Sequence, residues 1–194
     1  VSSRPYAMTA RAEAVERTRR AILDATIALH LSRPASSIGL GDVADRAGTS
    51  VQTILRHFGN RAALIETALV EAQQEVVAER RAPAGDVAAA VAQVVAHYEK
   101  RGDGVLVLLA QEGQEEFATR VVRDGRRIHR AWVREVFAPL LVGRADADEL
   151  IDLLIVATDV YTWKLLRRDR RLSRRATEAA VRRMVEALLR EEGS

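Results

Sequence analysis

The chain is 194 residues long with 48% hydrophobic residues, enough to bury a core of its own, and its formal net charge is +3. It contains no cysteine, which excludes disulfides, thiolate metal sites and thiol nucleophiles. Four prolines, eleven glycines and a composition rich in Ala, Leu, Val, Glu and Arg favour long helices over sheet.

The charge is unevenly spread. Residues 1–61 hold nine arginines against five acids (Glu13, Glu16, Asp24, Asp42 and Asp45), while the remainder is nearly balanced. A basic head on a near-neutral body suits a polyanion partner for the head alone; the plainer alternative is that the excess arises by chance. Only Lys100 and Lys164 among the 30 basic residues are lysines, a skew that reads as genome composition. Residues 1–9 lack an apolar signal core, and Met8 is a candidate natural start. The most apolar stretch, 150–166, carries Asp152, Asp159 and Lys164, too many charges for a helix centre in lipid. The expectation is a cytoplasmic protein without a membrane partner.

In chain order, a first helix is predicted over 12–30, with Ile22, Ala25, Thr26 and Leu29 on one face, stopping before Pro34. After a small-residue connector, a short helix covers 40–47, with Gly39 as its cap. Gly48-Thr49-Ser50 breaks the pattern: Gly48 can take the left-handed conformation that ends a helix, and Ser50 can cap the next one, over 51–57. A long fourth helix spans 60–80, and Ala82-Pro83-Ala84-Gly85 is the clearest linker. Beyond it the pattern gives a helix over 86–101, a turn at Gly102-Asp103-Gly104, a helix over 105–113, and another over 115–141 with a kink near Gly125 and an end around Pro139. After a turn at Val142-Gly143-Arg144, helices over 146–168 and 173–192 complete the chain. The predicted fold is all-α with about nine helices: a small three-helix head over 12–60 and a larger helical body over 61–194.

The stretch 40–58 has the logic of a helix-turn-helix. Val43 and Ala44 let two helices approach closely, Gly48 makes the tight turn, and Ile54 and Phe58, four residues apart, pin the second helix to the core. Gln52, Thr53, Arg56 and His57 are then free to face a groove. A major groove admits one helix; glutamine pairs with adenine and arginine with guanine there. Ser50, His57 and Arg61 are the candidate phosphate contacts, with the amides at the helix start.

Residues 22–65 resemble the DNA-binding head of the tetracycline-repressor (TetR) family of bacterial regulators. The resemblance is carried by Ile22-Leu23-Asp24-Ala25, Val43-Ala44, Gly48-Thr49-Ser50, Thr53-Ile54, His57-Phe58 and Asn60-Arg61-Ala62-Ala63-Leu64, in the family's order and spacing. The run 157–169 resembles the penultimate helix of some actinobacterial members. Against the family pattern, His30 replaces the usual phenylalanine, Pro34 a glycine, Gly39 the Ser/Thr cap, Leu55 the third-helix tyrosine and Arg61 a lysine. Val51 and Leu55 therefore sit where members commonly touch DNA. An apolar pair there either reads thymine methyl groups or packs against the second helix.

The four histidines, His30, His57, His97 and His129, have no ligand spacing, and no cofactor or metal is expected. Catalytic motifs are missing as well: there is no Gly-x-Ser-x-Gly, phosphate-cradling glycine loop or His-Glu-x-x-His. The acids beside Gln111 (Glu112, Glu115, Glu116) read as a solvated helix face, and a non-enzymatic protein is expected. Phe117, Trp132 and Trp163 read first as core. A pocket for a small, hydrophobic effector would use these residues with polar groups such as His97, Gln111 and Thr158. The last two helices carry wide apolar faces. The resemblance implies a homodimer interface on them, for which Leu150, Leu154, Tyr161, Val181, Met184 and Leu188 are the candidates.

Taken together, these readings predict a regulator, with repression as the default sense, that binds a double-stranded, pseudo-palindromic operator as a homodimer and is released by an effector. The resemblance implies that the effector acts through the long fourth helix. Two rivals are an architectural or cell-division protein with the same head and no ligand control, and a helical enzyme with a degenerate head. A charge-lined cavity and no operator affinity would mark the second.

Overall fold

The computed structural model describes residues 4–190, with side chains from Thr9 onward. All regular structure among the described residues is helical, as predicted. The chain divides into two compact units, Val1–Gln74 and Glu75–Ser194, and the division falls within the fourth helix. No helix among the described residues is long and apolar enough to cross a membrane.

In the first unit, α1 (Arg4–His30) starts eight residues earlier than the apolar pattern indicated. Residues 9–17 are exposed, so no apolar face marks this part of the helix, which continues into solvent on propensity alone. Residue 5, a proline, lies in the first turn, where its missing amide proton breaks no bond. A 3-10 turn (Ala35–Ser37) leads to α2 (Leu40–Ala47). Gly39 caps α2 without a side chain; in compensation its amide donates to Asp42 Oδ2 at 2.8 Å. At φ +64°, Gly48 closes α2 in the left-handed conformation, and α3 (Val51–Phe58) follows directly. Asn60 caps α4 (Arg61–Glu79), its side-chain oxygen accepting the Ala63 amide at 2.9 Å. Ile22, Leu23, Ala25, Leu29, Ile38, Val43, Ala44, Ile54, Leu64 and Ala68 form one core. Ile54 is fully buried in it, so truncation to alanine would cost about 2–5 kcal/mol and loosen α3 first. On the surface, Arg19 and Arg20 of α1 pair with Glu71 of α4.

In the second unit, the 82–85 linker ends at Gly85 (φ +84°), whose amide donates to the Val136 carbonyl at 2.7 Å. Helix α5 (Val87–Gln111) is capped by Asp86 and runs without interruption through the predicted turn at Gly102–Gly104. The glycines there do not mark a turn: Gly102 is buried inside the helix, with the Trp163 ring lying on its backbone. Likewise α6 (Glu116–Phe137) is a single helix through Gly125, and a 3-10 turn at Ala138–Leu140 ends it at Pro139 as expected.

The predicted 146–168 helix is instead α7 (Ala147–Ala157) and α8 (Val160–Lys164), the latter running into a π-turn at Leu165–Asp169. Polar side chains make the break. Thr158 Oγ1 donates to the Leu154 carbonyl at 2.7 Å, and Asp159 Oδ1 accepts the Tyr161 amide at 2.8 Å, so the chain is capped anew in mid-course. Ser173 accepts the Ala176 amide at the start of α9 (Arg174–Arg190); the predicted end at 192 lies outside the described residues. Helix α5 is the centre of this unit, packing on α6, α8 and α9.

Candidate nucleic-acid interface

Helix α3 is held by its inner side. With Ile54 buried and Phe58 against the same core, Val51, Gln52, Leu55 and Arg56 are all left exposed. Positions i, i+1, i+4 and i+5 form one face of a helix, so these four residues present a single surface. Val51 is 37% and Leu55 40% exposed, so neither is buried against α2. Thr53 and His57 are half-buried at the edges of the face.

Two expected phosphate contacts are engaged with the protein itself. Ser50 Oγ accepts the Thr53 amide at 3.1 Å and lies 3.0 Å from Thr53 Oγ1, so it caps α3. Arg61 Nη2 donates to the carbonyls of Ala35 and Ile38 at 3.0 and 3.1 Å, tying α4 to the connector between α1 and α2. The His57 ring lies 6.0 Å from that of Phe58. Arg56 and Arg46 are both exposed, and among the described residues neither has an ion pair or hydrogen bond to the protein, whereas Arg33 pairs with Asp42 at 2.5 Å. The sequence reading missed Arg46. Its signal was present: it stands in the last turn of α2, two residues before Gly48.

In the second unit, four of the six expected ligand residues are buried. His97 Nδ1 faces Glu79 Oε2 at 2.9 Å. Its burial, then the nearby Arg80, push its pKa down to about 3, so it donates to Glu79 as a neutral ring. Thr158 Oγ1 lies 3.2 Å from His129 Nε2, and the Thr158 carbonyl accepts from Tyr98 at 3.1 Å. Trp132 Nε1 donates to the Arg80 carbonyl at 2.8 Å. Trp163 Nε1 donates to Glu99 at 2.9 Å, and Arg168 lies over the Trp163 ring at 4.5 Å. Gln111 and Phe117, both half-buried, lie at the connection between α5 and α6. Arg80 itself is buried among these groups and went unnoticed, because nothing in the run Glu79-Arg80-Arg81 marks one arginine over the other. Among the described residues no cluster of three or more His, Asp or Glu is arranged to hold a metal.

Of the expected dimer residues, Leu150, Leu154 and Val181 are buried in the core of the second unit. Tyr161 and Met184 are exposed and Leu188 is half-buried. Leu153, Val156 and Leu165 are further exposed apolar side chains on the same helices. The apolar periodicity of the sequence located the faces but not which stripe points inward.

Residues 22–68 match the family described as "Bacterial regulatory proteins, tetR family". The fold resembles the crystal structure of a tetR-family transcriptional regulator from Streptomyces coelicolor, with 18% identity, 89% of this chain and 80% of that chain covered, and a TM-score of 0.65. It also resembles a transcriptional regulator from Rhodococcus sp. Rha1, with 18% identity, coverage of 90% and 95%, and a TM-score of 0.58. No curated protein matches the chain. The head over residues 22–68 thus matches the tetR family of bacterial regulatory proteins, and the chain as a whole shares the all-helical fold of those regulators.

Proposed function

We propose that the protein is a cytoplasmic, ligand-responsive repressor that binds a pseudo-palindromic operator as a homodimer and does no catalysis. The observation that carries this reading is the α3 face: Val51, Gln52, Leu55 and Arg56 exposed together on a helix whose opposite side is anchored by Ile54. In the major groove Gln52 and Arg56 are suited to base edges, Val51 and Leu55 to thymine methyls. Thr53, His57, Arg46 and the uncommitted N–H groups of Arg61 serve the backbone, and Ser50 acts through the cap it forms.

Two copies of the head must enter successive major grooves, so half-site centres lie about 34–36 Å apart. Dimer contact falls to the exposed stripe of Leu153, Val156, Tyr161, Leu165 and Met184 rather than to the buried leucines. An effector held in the body releases DNA only by binding the operator-incompetent state more tightly, and α4 is the covalent path between the two units.

The test is selection of duplexes from a random pool by the full chain, followed by fluorescence anisotropy across a salt series. Recovery of inverted repeats with that spacing is expected, with affinity falling steeply as salt rises. Failure to bind any selected duplex more tightly than random DNA sinks the proposal.

A further inference from the structure

Among the described residues Arg80 is the one buried arginine or lysine, 7% exposed, and its charge has no carboxylate within ion-pair distance. The chain treats its other shielded arginines differently. Arg101 is paired with Glu75 and Glu79, Arg144 with Asp146, and Arg167 with Glu99. Arg80 instead has its guanidinium 5.3 Å from the Tyr98 ring centre and Nη1 3.2 Å from His129 Nδ1, while its buried Nε has no hydrogen-bond partner.

Nothing in the cluster neutralises that charge at contact. His129 Nε2 faces the Thr158 hydroxyl at 3.2 Å and the Ile155 carbonyl at 3.3 Å, which fixes Nδ1 as an acceptor from Arg80 and the ring as neutral. Burial, then Arg80 itself, hold the His129 pKa down to about 4, in agreement with that geometry. Asp159 is near enough to feel the charge, but its carboxylate caps α8 through the Tyr161 amide. An unpaired buried cation with an idle donor is expensive to maintain, and a fold that pairs its other shielded arginines has left this one open. Around it the surfaces are flat and apolar: the Tyr98 ring, and the Trp132 ring stacked on His129 at 5.6 Å.

We propose that Arg80, framed by Tyr98, His129 and Thr158, is the anchor of the effector site and takes the carboxylate of a small organic acid whose apolar part lies among the aromatic rings. The carboxylate accepts from the guanidinium, including the idle Nε, and charge-assisted bonds of this kind discriminate strongly against neutral analogues. This inference rests on the ligand-responsive reading above and narrows the hydrophobic effector to an anionic one.

The experiment uses the full chain and three acids, benzoate, phenylacetate and octanoate, each against its neutral primary amide, with isothermal calorimetry and thermal shift as readouts. At least one acid is expected to bind and to raise the melting midpoint, with its amide weaker by about tenfold or more. Arg80→Gln should abolish that preference while Arg80→Lys keeps part of it. The acid-amide comparison on the unaltered chain stands even if Arg80→Gln fails to fold. Binding by none of the acids, equal binding of acid and amide, or an unchanged preference in Arg80→Gln overturns the proposal. Operator affinity is measured in parallel. Acid binding that needs Arg80 but leaves DNA affinity unchanged upholds the anion site and removes ligand control; DNA release by the neutral amides alone removes this site and leaves ligand control standing.

Discussion

Trp163 packs its ring closely against Gly102, sixty-one residues earlier in the chain: a Cβ on Gly102 would come within 2.5 Å of the indole ring. The ring cannot step aside, being 1% exposed, tied to Glu99 through Nε1 and covered by Arg168. Gly102→Ala should therefore destabilise the second unit by about 1–3 kcal/mol, overpacking outweighing the roughly 1 kcal/mol that alanine gains in a helix interior. Urea unfolding measures this, and an unchanged or raised midpoint would show that the contact is loose.

That pair also shows where sequence reading stops. Gly102-Asp103-Gly104 has the composition of a turn, and only the arrival of a side chain from α8 makes the first glycine a packing residue. Local signals served the head well. Gly48, Ser50 and Asn60 act through their own neighbours in the chain, so the bounds of α2 were legible to the residue and that of α3 to within one. Exposure was not legible. Val51 and Leu55 on one side, and Leu150 and Leu154 on the other, are all apolar residues at helical spacing, yet the first pair faces out and the second in. Arg80 shows the same limit, since burial of one arginine among neighbours of the same type is decided entirely by packing from α5 and α6.

Arg56 and Arg61 separate by role. Arg56 has no protein partner, so Arg56→Ala should leave the melting temperature unchanged and weaken specific DNA binding by about 1–3 kcal/mol if it reads a base. Arg61→Ala removes two bonds to the α1–α2 connector and should lower stability by about 1 kcal/mol as well as DNA affinity. Thermal melts beside anisotropy check both. A fully stable Arg61→Ala protein would show that these bonds are of no consequence.

Val51 and Leu55 make a chemical forecast about the operator. Replacing single thymines by deoxyuridine removes one methyl group and nothing else; where the pair makes contact, affinity should fall by roughly fourfold, the value of about 0.8 kcal/mol for one buried methyl. With Leu55→Ala that sensitivity should largely vanish at one position. Uniform indifference of the unaltered chain to deoxyuridine at every operator thymine would show that the two side chains do not read bases.

Val156 is 64% exposed on α7, and nothing on its own chain covers it. If the α7–α9 surface pairs two copies, Val156→Arg buries a charge at the contact and should raise the dimer dissociation constant by about tenfold or more without unfolding the chain. Sedimentation velocity over a concentration series reads this directly. A variant that self-associates as the unaltered chain does would move the interface elsewhere.

Stability should decline as the solution is acidified, beginning near neutrality. Burial holds His97 down to about 3 and His129 to about 4, Arg80 adding to both, and burial also lowers His30 in the head. An unfolded histidine titrates near 6.5, so below that pH the unfolded chain takes up protons that the folded chain refuses, and stability falls toward the folded values. Each histidine contributes a slope of at most about 1.4 kcal/mol per pH unit. Of the neighbouring acids, Glu79 is held well below the usual carboxylate range, chiefly by Arg101, and Asp159 is raised by burial. The first adds to the decline only toward the acid end, and the second opposes it. With three histidines lowered and one acid opposing them, urea midpoints between about pH 8 and pH 5 report chiefly the histidines. His129→Asn should reduce the slope, and a flat profile over that interval would mean that the imidazoles reach solvent.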